Sequence, residues 1–115
     1  MDTKQIAGTI QQQLKATVGI EVVWSWGQNN LLAIGEDTLK SWSIDNGLGG
    51  LMFTVQGHHH KGQVLVSLNG TDTYDVFICN VANGEFTVVE KSEGMYFDEF
   101  GDWIDRKVER LDTYK

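Results

Sequence analysis

The stretch Gln63-Val64-Leu65-Val66-Ser67-Leu68-Asn69-Gly70-Thr71-Asp72-Thr73-Tyr74-Asp75-Val76-Phe77 decides the fold class. Val64, Val66 and Leu68 alternate with Leu65 and Ser67, the period of two that belongs to a strand. Asn69-Gly70-Thr71-Asp72 reads as a turn, because Gly and Asn accept positive φ and short polar side chains bond nearby backbone. The chain resumes in a β-rich run from Tyr74 to Val81. Its uninterrupted Phe77, Ile78 and Cys79 predict a central strand. Two strands joined by a short turn make an antiparallel hairpin.

The flanking segments extend the same pattern. Asn83-Gly84 is the strongest hairpin signal in the chain, since both central residues of a type I′ turn need positive φ, and Phe86 to Glu90 returns from it. Upstream, Leu51, Phe53 and Val55 alternate with Met52 and Thr54, and Gly57 to Gly62 forms a polar connection. Asn46-Gly47 and Gly49-Gly50 read as breaks, and Gly27 to Asn30 as a turn. Between them the pattern is weakest. Leu39, Ser41 and Ser43 against Lys40, Trp42 and Ile44 fit a strand, and Ile20, Val22, Trp24 and Trp26 predict another with an aromatic face.

Helical periods appear at both ends. Ile6, Ala7, Ile10, Leu14 and Val18 form one apolar stripe, opened by an Asp2/Gln5 capping box and stopped by Gly19. Phe97, Phe100, Ile104, Val108 and Leu111 form a second, with acids early and bases late, as the helix dipole favours. The expected fold is therefore one α+β domain: a helix over about 3–18, an antiparallel sheet of five or six strands over about 20–91, and a helix over about 97–111.

Composition bounds the function. The 115 residues (12.9 kDa) carry a formal net charge of −7, one Cys and no Pro, and a sheet turned by Gly and Asn has little use for proline. A single cysteine excludes an internal disulfide and any multi-cysteine zinc site. No apolar stretch approaches a membrane span and the N-terminus lacks a signal pattern, so a cytoplasmic protein is expected. Residues 85–105 hold Glu85, Glu90, Glu93, Asp98, Glu99, Asp102 and Asp105 against Lys91 alone, a local −6. Such a surface repels phosphate, which argues against direct nucleic-acid binding and for a protein partner. Asp98, Glu99 and Asp102, with Trp42 as the aromatic expected to be exposed, are the candidate partner-binding residues.

Other chemistry is sparse. His58 and His60 could share a face and hold a metal ion, although a solvated polar hairpin loop is the better explanation. Cys79 sits in an apolar strand and reads as core. No nucleophile elbow, phosphate loop or paired-cysteine motif appears, so neither a catalytic residue nor a cofactor is assigned.

The 63–77 hairpin resembles a family of small proteins frequent in tailed-phage and prophage genomes, with the pattern V-x-(I/V)-x-L-N-x-x-D-x-Y-D-V-x-F. Glu93-Gly94-Met95-Tyr96 matches that family's Glu-Gly-x-Tyr before a closing helix, and Gln13-Leu14 its first helix. The segment between Asn30 and Gly50 is longer here, and the tail matches loosely. The resemblance implies a mobile-element setting and no activity. Asn69, Asp72 and Asp75 are expected to hold turn and strand geometry through bonds to backbone. The expected function is that of a non-catalytic acidic binding or accessory protein. A metal-binding loop at His58–His60 and an acidic inhibitor or nucleic-acid mimic are the alternatives, and an open sheet edge would favour a homodimer.

Overall fold

The structure is a computed structural model and describes residues 2–19, 26–57 and 60–108. Helix α1 (Thr3–Val18) precedes strand β1 (Asn29–Ile34), a short helix α2 (Glu36–Ser41), strands β2 (Gly47–Gln56), β3 (Lys61–Asn69), β4 (Tyr74–Ala82) and β5 (Glu85–Met95), and helix α3 (Phe100–Val108). The five strands form one antiparallel sheet in chain order, β1-β2-β3-β4-β5. The expected α+β class, with a helix at each end of an antiparallel sheet, is the fold observed.

The local signals act where they were read. Asp2 Oδ1 accepts from Gln5 N–H at 2.8 Å and Gln5 Oε1 accepts from Asp2 N–H at 3.0 Å, a complete capping box, and Gly19 ends α1 at φ 86°. Asn83 and Gly84 both take positive φ, 55° and 80°, which closes the β4–β5 hairpin. In the β3–β4 turn, Asn69 Oδ1 accepts from the N–H and hydroxyl of Thr71 and of Thr73. Asp75 Oδ1 accepts from Asn69 Nδ2 at 3.1 Å and from Gly94 N–H at 2.9 Å, tying the turn to β5.

Alternation along the strands distributes the core over two faces. On the first, Leu51, Phe53, Val55, Val64, Val66, Val76 and Ile78 pack under Ile6, Ile10 and Leu14 of α1 and Phe100, Ile104 and Val108 of α3. On the second, Met52, Leu65, Phe77 and Cys79 meet Ile34, Leu39 and Ile44 around α2. The apolar run in β4 follows directly, because that strand is covered from both sides.

Four expectations are corrected. Residues 36–41 form a helix and not a strand; Glu36 and Asp37 in its first turn and Lys40 in its last suit the dipole, and Leu39 is its single buried side chain. Gly47, Gly49 and Gly50 lie within β2 and do not break the chain. Helices packed close on both faces exclude side chains there: a Cβ on Gly47 would stand 2.6 Å from Leu39 Cδ1 and 2.8 Å from Ser67 Oγ, and one on Gly49 2.9 Å from Ile6 Cδ1. Asn29 and Asn30 start β1, where a bulge absorbs the positive φ of Asn30. Phe97 precedes α3 in a turn and is 55% exposed, because Glu99 Oε1 caps the N–H of Tyr96 and the helix begins at Phe100. The strand expected over 20–26, except Trp26, and the stripe position Leu111 lie outside the described residues.

Two glycine substitutions should therefore act in opposite directions. Gly47→Ala is expected to lower stability by about 1–3 kcal/mol through overpacking. Gly8→Ala, in α1 with nothing within 4 Å, should raise it by about 0.5–1 kcal/mol. Chemical denaturation of the two variants checks both signs.

Candidate functional site

The predicted site residues do not form one surface. Trp42 follows α2 on the second face, half-buried, with its ring stacked on Phe86 at 4.7 Å and 8°, and Phe86 meets Phe77 edge-on at 6.0 Å. Asp98 and Glu99 lie in the turn before α3 and Asp102 in its first turn, in the layer on the first face. Asp102 pairs with Arg106 at 3.2 Å, and Glu99 caps Tyr96. Other acids of the 85–105 stretch also have structural work: Glu90 pairs with Lys107 at 2.7 Å and Glu93 with Lys91 at 3.6 Å. Asp105 is buried and accepts from Trp26 Nε1 at 2.9 Å, so the local −6 is not all surface charge.

His58 lies outside the described residues. His60 is half-buried, with Nε2 3.2 Å from the carbonyl oxygens of both Gln63 and Cys79. Carbonyls only accept, so Nε2 carries the proton and Nδ1 alone is left as a ligand atom. Among the described residues, no three His, Cys, Asp or Glu side chains converge as a metal-binding set. Cys79 is fully buried, and burial pushes its thiol from near 9 up to about 12.

A different surface emerges from the second face, beyond the part of the sheet near Gly47 that α2 covers. There Met52, Thr54, Gln63 and Val81 floor a groove of about 580 Å³, with Asn30, Leu31 and Leu32 of β1 as its rim. The β1 bulge builds this rim. Four residues of β1, Asn29 to Leu32, stand against three of β2, Thr54 to Met52, and Leu31 and Leu32 both reach the groove. They remain 42% and 55% exposed. Gln63 is held in place because its Oε1 accepts from Val81 N–H at 2.9 Å. Among the described residues the groove is lined by apolar, amide and hydroxyl side chains, a surface suited to apolar and amide groups.

The two edges of the sheet differ sharply in kind. β5 carries Glu85, Glu90, Lys91 and Glu93, charges that discourage further strand addition. β1, Asn-Asn-Leu-Leu-Ala-Ile, carries no charge, and among the described residues it pairs only with β2. From sequence, Leu31 to Ile34 fit either a strand or a loop, because Asn29-Asn30 is a turn signal. The usable sign was two adjacent leucines in a stretch without charge.

The buried thiol gives a test of the second-face core. With about a thousandfold less thiolate than an ordinary cysteine, Cys79 should resist Ellman's reagent in the native protein and react fully once denaturant is added. Because the neutral thiol is favoured in the fold, its contribution to stability is complete below about pH 9 and is lost as the pH rises toward 12. Rapid native labelling would contradict the packing.

No protein-family model matches the chain, and no curated protein or solved structure matches it.

Proposed function

We propose that this protein acts without catalysis, as a binding module that receives an extended segment of a protein partner along β1. One observation carries the reading: an uncharged edge strand, with two exposed leucines, borders an open apolar groove on an otherwise acidic chain. Edge strands present a row of backbone donors and acceptors, so an added strand gains main-chain hydrogen bonds, while its alternate side chains enter the neighbouring groove. The net charge of −7 favours partner segments that are uncharged or basic at their flanks. The accessory role in a mobile element implied by the 63–77 motif fits such a module and adds no chemistry to it.

Selection of a random peptide library against the folded chain tests this. Enriched peptides should alternate apolar residues and should lose about tenfold or more in affinity toward Leu32→Glu, a change of about 1.4 kcal/mol or more. Enriched peptides that bind Leu32→Glu as well as the parent, or no enrichment at all, would overturn it.

A further inference from the structure

We infer that the segment received along β1 is β1 of a second copy, giving a two-fold dimer with one continuous antiparallel sheet; this rests on the binding-module reading above. Two chains of charge −7 repel wherever acidic surfaces face each other. β1 is the sheet edge where they do not, since none of its six residues is charged, whereas β5 would set Glu85, Glu90 and Glu93 against their own copies. Antiparallel pairing also separates the nearest acids. Glu36 and Asp37 follow β1 at its C-terminal end, so each copy places them beside the Asn29 and Asn30 amides of the other. The two acidic pairs then stand a strand length apart, roughly 20 Å for six residues. That is beyond the physiological Debye length of about 8 Å. A two-fold axis normal to the sheet keeps the second faces on the same side. Leu31 and Leu32 of each copy then meet across the axis, and the two grooves join into one apolar trough. A two-fold contact requires a self-complementary patch, and a strand paired antiparallel with itself is one.

Sedimentation velocity over a concentration series, combined with hydrogen exchange resolved to the β1 amides, tests this. The expected mass rises from 12.9 kDa toward twice that value, with β1 protection rising in step. Leu32→Glu, at an exposed position that the fold does not need, should remain at 12.9 kDa. Val89→Glu, 60% exposed on the opposite edge, should dimerise like the parent. A monomer at every concentration with fast-exchanging β1 amides would overturn the dimer and leave the edge free for a foreign segment. A monomer with protected β1 amides would mean the chain covers its own edge, and both readings would fall. A dimer that survives Leu32→Glu would place the contact elsewhere and also overturn the inference.

Discussion

One buried hydrogen bond, from Trp26 Nε1 to Asp105 Oδ1, joins positions 79 residues apart and sets where the edge of the sheet lies. Trp26 is fully buried, its ring stacks on Phe53 at 6.2 Å, and its carbonyl accepts from Gln56 N–H at 2.7 Å. Trp26, three positions ahead of the start of β1, is thereby held to β2 by its backbone and to α3 by its side chain. Losing either partner strands a buried polar group. Everything downstream depends on this placement: the register of β1 on β2, the bulge that turns Leu31 and Leu32 into the groove, and the exposure of that edge.

The second constraint is that β2, β3 and β4 bury side chains on both faces, while the described helices cover the first face more fully than the second. Two helices, of 16 and nine residues, lie over the first face, and six residues of α2 with Ile44 and Trp42 over the second. Glycines at the start of β2 let both layers approach there. Farther along the same face Thr54 and Gln63 are only half-buried, and the groove lies over them at the margin of the Met52 cluster. The proposed binding surface is thus where a short connection runs out of length, at the edge that carries no charge.

Much of the fold was legible because its signals are local. The capping box, the Gly19 stop, the Asn83-Gly84 turn and the alternation of β3 and β4 each depend on residues within a few positions of one another. The misread segments are those where distant residues decide. Gly47 and Gly49 look like breaks until Leu39 and Ile6 are seen packed against them. Asp105 looks like one more surface acid until Trp26 is found beside it. The helix α2 is too short for its period to show, and only Leu39 of its six residues is buried. The groove was the least legible feature, because it is assembled from β1, β2, β3 and β4 at once, and no window of sequence contains it.

A double-mutant cycle across the Trp26–Asp105 bond tests the account most directly. Trp26→Phe and Asp105→Ala, separately and together, would be compared by denaturant unfolding. A working clamp predicts losses of about 1–3 kcal/mol for each change and a coupling of at least about 1 kcal/mol between them. Effects that add within about 0.5 kcal/mol would contradict it, because the tryptophan and the carboxylate would then contribute independently and the position of β1 would need another cause.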